Sequence, residues 1–295
     1  MTMAGHTSYT DGQPFDDIHY FQLKVMLKPD RFTSVESFHD FARLVRRTAN
    51  VSDVGFDKDP KTIRSPLVRE VVFVDTPDFR LYNHGFILRR RISYVDGFAV
   101  GDPEIVFKFR HPNKLKAAAV DVRPHIDGGY RIKFKMQNLS LAGRDGSSRV
   151  VYSHNCQFPV THVRERDRTA LTTLVRVFPV LVGLKTSNEE RVRLVNEGIV
   201  EELLLPAGRL DFGKGVCAKS NVALWRTRAD HAPLVAEFSF QIRFDRPEDF
   251  CDKARARAKT FFATLQQHAH DWISRGTTKT SLVYRLKDRP QGRIA

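Results

Sequence analysis

Along much of the chain, apolar and polar residues alternate, and this period of two predicts β-strands. In EIVFKFR, for example, Phe107 and Phe109 alternate with Lys108 and Arg110, so the two pairs face opposite sides of a strand. Turn sequences such as TPD, DGG and AGR separate segments of this kind. The predicted strands are 19–27, 68–75, 85–95, 103–110, 130–136, 149–157, 190–196, 201–205, 208–212, 221–228 and 234–244.

Three other segments have the period of an amphipathic helix. The first begins with a capping-box pattern, Thr33 followed by Glu36, and the last has Pro247 in its first turn, where proline is favoured. These helices are predicted over 33–49, 166–178 and 247–273. Strands and helices without an internal repeat or a clear linker predict a single α+β domain.

The two ends of the chain lack any periodic pattern. We predict a flexible N-terminal leader over residues 1–17, one folded domain over 18–286 and a C-terminal tail over 287–295. Within the domain, the range 111–148 is the least regular and is a candidate insertion.

Composition bounds the cellular location. The N-terminal residues are polar and include Asp11, Asp16 and Asp17, which is unlike a signal peptide. No run approaches the ~18 apolar residues that a membrane helix needs, so we expect no membrane partner. The three cysteines lie far apart, which favours free thiols over disulfides or a zinc site. We therefore expect a cytoplasmic protein.

Positive charge is the strongest compositional signal. The chain has 48 Lys and Arg against 34 Asp and Glu, a formal net charge of +14. Such an excess predicts an anionic partner. Charge alone leaves nucleic acid, a membrane surface and a phosphorylated small molecule open as that partner.

Much of this charge is concentrated on one face of several predicted strands. On a single strand, such alternation usually means a solvated face. Five basic faces would repel one another on an open sheet, whereas in a closed barrel they could surround a polyanion that neutralises them. Arg90 has the opposite parity and is predicted to face outward. The basic faces carry Gln22 and Lys24; Arg89 and Arg91; Lys108 and Arg110; Arg131, Lys133 and Lys135; and Arg191 and Arg193.

The aromatic residues of these strands do not favour nucleic acid as the anion. Phe107, Phe109 and Phe134 have the opposite parity to the basic residues of the same strands. They therefore cannot stack on bases that lie against the basic face. The expected partner is a small anion that contains phosphate.

The stretch VFVDTPDFRLYNHGFILRRR resembles the signature of the CYTH family, the triphosphate tunnel metalloenzymes, in which an aromatic-Asp-Thr-Pro-Asp turn precedes a Leu-Arg-x-Arg strand. Later segments are similar to other elements of the family in the same order: FKFRHP, LKTSNEERVRL, RLDFG, LVAEFSFQI and TKTSLVY. The resemblance implies an antiparallel closed β-barrel of about eight strands with surrounding helices. It also implies binding of inorganic or organic triphosphate together with Mg²⁺ or Mn²⁺.

Carried over position by position, the resemblance implies roles for individual residues. Together with the basic strand faces, it predicts phosphate binding by Lys24, Arg89, Arg91, Lys108, Arg110, Lys133, Lys135, Arg191 and Arg193. The catalytic residues would be Lys24, Arg89, Arg91 and Glu237. A divalent metal would be bound by Glu237, Asp211 and Glu104. Asp75 would anchor the turn, and Lys279 would approach one end of the tunnel.

Two strands depart from the family pattern. The first strand of the family carries Glu-x-Glu-x-Lys, whereas YFQLK (20–24) keeps only the lysine, and EFSFQ (237–241) keeps one acid where the family has a pair. Because Mg²⁺ prefers carboxylate and phosphate oxygens, at most one metal ion is expected. Two hypotheses remain open: a metal-dependent phosphohydrolase that acts on triphosphate, and a degenerate protein that binds a phosphorylated anion without turnover.

Overall fold

The alternating segments form a barrel in the computed structural model, which describes residues 7–57, 66–140, 148–165, 167–184, 187, 189–274 and 278–286. Its strands are β1 Ile18–Leu27, β2 Gly55–Asp57, β3 Leu67–Asp75, β4 Phe86–Val95, β5 Phe98–His111, β6 Arg131–Ser140, β7 Ser148–Pro159, β8 Arg193–Asp211, β9 Cys217–Thr227 and β10 Pro233–Arg243.

Nine of these strands form a closed wall in the order β8, β3, β4, β5, β7, β6, β1, β10 and β9, and β9 returns to pair with β8. β2 pairs with β8 outside this ring. The predicted closed barrel is therefore confirmed, with nine wall strands instead of about eight. A ring with an odd number of strands cannot be antiparallel throughout, and here β1 and β6 form the parallel pair.

β8 is one continuous strand of 19 residues that covers most of three predicted strands. Its pairing shifts opposite Val72 to Val74 of β3, where Asn196 and Glu197 have left-handed φ angles of 52° and 55°. A second shift lies at Gly208, opposite β9. Because bulges bend a strand and break its alternation, a single strand reads in sequence as several.

The candidate insertion 111–148 contributes to the barrel wall. It contains helix α3, Lys114–Ala118, and strand β6. β6 pairs with β7 on one side and with β1 on the other, so this part of the range is integral to the ring. Residues 141–147 lie outside the described residues.

The helices surround the barrel, and their bounds are α1 Val35–Val51, α2 Arg80–Asn83, α3 Lys114–Ala118, α4 Leu171–Val177, α5 Asp252–His268 and α6 Lys279–Tyr284. At the start of α1, Ser34 Oγ accepts a hydrogen bond from Ser37 N at 3.4 Å, and Ser37 Oγ accepts one from Ser34 N at 3.3 Å. The capping box predicted at Thr33 and Glu36 is therefore wrong by one residue, because serine is also a favoured N-cap.

The other two predicted helices are shorter than their sequence patterns. Residues Pro247–Asp249 form a 3₁₀ turn, and the extended Cys251 separates it from α5. The predicted helix 166–178 corresponds to α4, while residue 166 lies outside the described residues.

The outer faces of the barrel are apolar and pack against the helices. Phe41 of α1 contacts Phe238 of β10 with a ring-centroid distance of 5.6 Å. On another side, Phe107 of β5 stacks on Phe178, which follows α4, at 4.0 Å. Burying a side chain of this size contributes about 1.5–3 kcal/mol. The hydrophobic core therefore lies between wall and helices, and the inner faces are left for polar residues.

The described part of the predicted leader, residues 7–17, packs against the barrel. The buried Tyr9 donates its hydroxyl to Asp16 at 3.1 Å, and Asp16 lies 2.7 Å from Nε2 of His154 on β7. The contact between Asp16 and His154 joins residues far apart in sequence, so local sequence gave no sign of it. Residues 1–6 and the predicted tail 287–295 lie outside the described residues. None of the described helices is long and apolar enough to cross a membrane.

Candidate anion-binding tunnel

A cavity of about 480 Å³ lies inside the barrel, and all nine wall strands contribute side chains to it. We call it the tunnel cavity; its size is within the ~300–1,000 Å³ of small-molecule sites. Ten Lys and Arg against three Glu give it a formal excess of seven positive charges. These charged residues are Lys24, Arg69, Arg89, Arg91, Lys108, Arg110, Arg131, Lys133, Lys135 and Lys279, with Glu104, Glu202 and Glu237.

The alternation of β4 decides which of its three consecutive arginines enter the cavity. Arg89 and Arg91 both line the cavity, as their shared parity predicts. Arg90 faces the outside, where its side chain is 44% exposed and its Nη2 lies 3.9 Å from Glu70 Oε1. The sequence RRR therefore divides into two cavity residues and one surface residue.

Asp75 holds the turn that leads towards β4. Its carboxylate accepts hydrogen bonds from the backbone N–H groups of Leu81 and Tyr82, at 2.9 and 3.0 Å, and from the hydroxyl of Tyr284 at 2.9 Å. Tyr284 belongs to α6, the helix that begins at Lys279. Asp75 therefore fixes the turn and α6 to one another, and with them Arg89 and Arg91 of β4 and Lys279 of α6.

Gly85 makes the sharp entry into β4 possible. Its φ is +83°, and a Cβ there would meet the Phe109 ring at 3.0 Å and the Arg110 carbonyl oxygen at 3.1 Å. Glycine adopts this conformation without a steric cost. The Gly85 carbonyl also accepts a hydrogen bond from Arg110 N at 3.0 Å, which ties the turn to β5.

Three cavity cations have side chains that make no hydrogen bond, ion pair or ring contact with any described residue: Arg89, Lys108 and Arg110. The Nε atoms of both arginines are buried without a partner, and Lys108 is itself buried. Buried charges in proteins are normally paired. The arrangement is therefore suited to an anion that pairs with all three.

Burial and like charges lower the pKa of the cavity lysines. Desolvation, with the charges of Arg110 and Arg89, holds the pKa of Lys108 well below its ordinary value. Desolvation and Lys133 do the same for Lys135, whose Nζ donates to Gln241 Oε1 at 2.5 Å. A bound anion would favour the charged form of both lysines and raise their pKa again.

Two of the three glutamates share one lysine. Lys279 Nζ lies 3.3 Å from Glu202 Oε1 and 3.4 Å from Glu237 Oε1. Each glutamate has a second cation, Arg69 at 2.7 Å from Glu202 and Lys24 at 3.5 Å from Glu237. Burial alone would raise the pKa of both carboxyls, but these positive charges hold it below its ordinary value. Both glutamates are therefore ionised and paired.

Glu104 and the first strand complete the polar lining. Glu104 accepts hydrogen bonds from Arg91 and, at 2.9 Å, from Arg131. On β1, Gln22 lies where the family pattern has a glutamate, and its Oε1 accepts a hydrogen bond from Gln137 Nε2 at 2.7 Å. An amide therefore replaces a carboxylate on β1.

This donor set is unfavourable for a divalent metal. Mg²⁺ and Mn²⁺ prefer oxygen ligands, carboxylates above all, in a near-octahedral shell. Every glutamate of the cavity is already paired with Lys or Arg. The other position of the family pattern holds Tyr20, whose ring lies 5.5 Å from Lys135 Nζ. Across the described ranges, no group of three or more His, Cys, Asp or Glu could hold a metal ion.

The cavity brings together most of the predicted site residues, namely Lys24, Arg89, Arg91, Glu104, Lys108, Arg110, Lys133, Lys135 and Glu237. Arg191 and Arg193 do not line it. Arg191 precedes β8 and pairs with Asp167, and Arg193 lines an apolar cavity on the outer side of the barrel. The bulge at Asn196 resets the alternation of β8, so parity counted from Arg193 does not identify its inner residues.

Asp211, predicted as a metal ligand, also lies outside the tunnel cavity. It is the last residue of β8, and its Oδ1 accepts a hydrogen bond from Gly213 N at 2.8 Å in the turn before β9. Its place in the structure is that of a turn residue. The proposed metal ligands inside the cavity are thereby reduced to Glu104 and Glu237.

Arg69 and Glu202 line the cavity, although the sequence did not assign them to it. Both lie in largely apolar strands, LVREVVF and EELLL, where alternation is weak. The sequence did contain one indication that they line the cavity: each is a charged residue within an apolar strand, and a buried charge needs a buried partner. Lys279, predicted near one end of the tunnel, lines the cavity itself.

No protein-family profile and no curated protein matches this sequence. Solved structures with a similar chain path include a putative adenylyl cyclase from Hippeastrum, described as having a dominant triphosphatase activity, with 11% identity over 93% of this chain and 98% of that chain, TM-score 0.44. PH1819 from Pyrococcus horikoshii has 11% identity over 92% and 100%, TM-score 0.38. A putative adenylate cyclase from Bacillus halodurans has 8% identity over 90% and 96%, TM-score 0.38.

Proposed function

We propose that this protein binds an inorganic or organic triphosphate, or a longer polyphosphate, inside the barrel. The observation that carries the proposal is the excess of seven positive charges in one enclosed cavity. In a site of low dielectric, facing cations repel strongly unless an anion lies between them. A compact chain of phosphate groups has the charge density and the oxygen acceptors that several Lys and Arg can share.

The arrangement of aromatic residues favours a small anion over a nucleic acid. Phe107 and Phe134 pack in outer clusters, against Phe178 and beside His154, and leave the basic faces of their strands without them. Single-stranded nucleic acids are usually bound by aromatic rings that lie on the same surface as the positive charge. A strongly basic cavity whose charged strand faces lack these rings is better suited to polyphosphate than to a single-stranded nucleic acid.

Metal-dependent hydrolysis of triphosphate is the second candidate function. It is favoured by one observation, the approach of Glu202 and Glu237 to the same ammonium group, which places two carboxylates close together near Arg89 and Arg91. The arginines could stabilise the charge that develops on a transferred phosphoryl group. Phosphate release from triphosphate with Mn²⁺ or Mg²⁺, compared with Glu237→Ala, tests it; unchanged release in the variant would remove Glu237 from any metal site.

Binding should strengthen from orthophosphate to pyrophosphate to triphosphate, because each added group brings more charge to the same cations. Titration calorimetry of the three anions measures this order, and all three affinities should fall as salt is added. A single-stranded oligonucleotide serves as the comparison at equal phosphate concentration. Equal affinity for the three anions, or preference for the oligonucleotide, would contradict a polyphosphate site.

Triphosphate binding should draw protons onto the protein at pH values that lie between the free and the bound pKa of the cavity lysines. The pKa values of Lys108 and Lys135 are lowered in the free cavity, and a bound anion raises them. Between the free and bound pKa values the complex holds more protons, so affinity falls as pH rises through that interval. Calorimetry in two buffers of different ionisation enthalpy measures the uptake. The Lys108→Met variant should take up fewer protons; equal uptake by both proteins would contradict the prediction.

A further inference from the structure

Lys279 lies between Glu202 and Glu237, the two glutamates whose carboxylates approach each other in the tunnel cavity. Its Nζ is 3.3 Å from Glu202 and 3.4 Å from Glu237, and it lies 4.9 Å from the centroid of the Trp225 ring. Trp225 Nε1 donates a further hydrogen bond to Glu202 Oε1 at 2.8 Å. Two carboxylates and the face of an aromatic ring therefore hold the ammonium group of Lys279 in this position.

The remaining carboxylate is likewise occupied. Glu104 is bound by Arg91 and Arg131, and Lys24 approaches the same oxygen of Glu237 that Lys279 contacts, Oε1. On β1, the Gln22 side chain is hydrogen-bonded to Gln137. A divalent ion bound to any glutamate of the cavity would lie beside two cations that already pair with that carboxylate.

We propose that the tunnel cavity binds polyphosphate as the metal-free anion, with Lys279 and its neighbouring cations supplying the positive charge that a divalent metal would otherwise bring. This inference rests on the proposed function. The protein's own fixed charges then replace the metal, and the glutamates hold Lys24, Lys279 and Arg69 in place for the ligand.

A consequence of this arrangement is that Mg²⁺ acts against binding. Mg²⁺ bound to triphosphate neutralises part of its charge and occupies oxygens that the cavity's Lys and Arg would contact. The ligand that fits the cavity best is then the uncomplexed anion. Mg²⁺ added to a mixture of protein and triphosphate should remove ligand from the protein.

Titration calorimetry of inorganic triphosphate, in EDTA and in excess Mg²⁺, tests the inference on the full chain. We expect binding in EDTA and an apparent affinity at least ~10-fold weaker in excess Mg²⁺. Binding that needs Mg²⁺, or that is equal in both conditions, would overturn the inference while leaving the proposed function intact. If triphosphate binds in neither condition, the proposed function fails, and the inference with it.

The variant Glu237→Gln separates the two kinds of site. In a metal-free site it removes a negative charge from beside the ligand, so triphosphate affinity in EDTA should be unchanged or rise by about 3- to 10-fold. In a metal site the carboxylate would hold the ion, so triphosphate affinity in excess Mg²⁺ should fall in the variant, and such a fall would overturn the inference. Thermal unfolding shows whether each variant is folded. If Glu237→Gln is not, the same comparison is made with Glu104→Gln.

Lys279→Met tests the role of the lysine itself. It removes one charge and leaves Glu202 and Glu237 facing the ligand, so affinity in EDTA should fall by about 10-fold or more. The surface variant Arg90→Gln is the control, because this residue faces away from the cavity. An unchanged affinity of Lys279→Met would overturn the part assigned to this residue.

Discussion

Arg89→Gln should weaken the binding of inorganic triphosphate by about 100-fold, because each charge-assisted hydrogen bond contributes about 1.5–3 kcal/mol. Arg89 lines the tunnel cavity without a carboxylate partner among the described residues, and its Nε is buried and has no hydrogen bond. Its positive charge is therefore fully available to an anion. Glutamine keeps a polar side chain there and removes the charge, so the loss reports on electrostatics.

The adjacent Arg90 offers a matched control within the same strand. Its side chain is 44% exposed on the outer face, so Arg90→Gln changes the net charge of the protein equally without altering the cavity. Triphosphate affinity should stay within about twofold, since a surface ion pair contributes little. Titration calorimetry of both variants at the same salt concentration makes the comparison. Similar losses in the two would mean that overall charge, not the cavity, attracts the anion.

Asp75→Ala should lower the free energy of unfolding by about 3–5 kcal/mol, since it leaves several buried donors without an acceptor. The carboxylate is buried and accepts from the backbone of Leu81 and Tyr82 and from the hydroxyl of Tyr284. The same change should weaken triphosphate binding, because the turn before β4 and helix α6 lose their common anchor.

Asp78 is the control for Asp75, because it is the second aspartate of the same Asp-Thr-Pro-Asp turn. Its side chain is exposed, with Arg80 as an ion-pair partner at 3.3 Å. Asp78→Ala should change the free energy of unfolding by no more than about 0.5 kcal/mol. Urea unfolding of both variants measures the difference. A small effect of Asp75→Ala would show that the hydrogen-bond network around it does not hold the fold together.

Local alternation predicted much of the tunnel cavity. Parity alone placed Arg89, Arg91, Lys108 and Arg110 on inward faces and Arg90 outside, because neighbouring side chains of a regular strand must point to opposite sides. The same reasoning failed on β8, where the bulge at Asn196 interrupts the pattern. Parity is reliable within a strand and is lost across a bulge.

The charge pattern also predicted that the sheet closes, since basic inner faces on an open sheet would repel. It could not predict the number of strands in the ring, nor the parallel pairing of β1 with β6, because these depend on which edges meet. Two local details were also not resolved by the sequence. Thr33 and Ser34 are both suitable N-caps for α1, and the pattern from Pro247 onward did not show that α5 begins at Asp252.

By itself, the sequence determined that the chain forms strands with basic faces, and it predicted that these faces surround an anion. It also showed that Lys24 is the one charged residue of YFQLK (20–24). Only the tertiary structure decided that Lys279 lies between Glu202 and Glu237, and that Arg69 joins them. These residues are far apart in sequence and meet because the ring closes and α6 packs on Asp75. Such contacts depend on long-range packing, and no local pattern of residues encodes them.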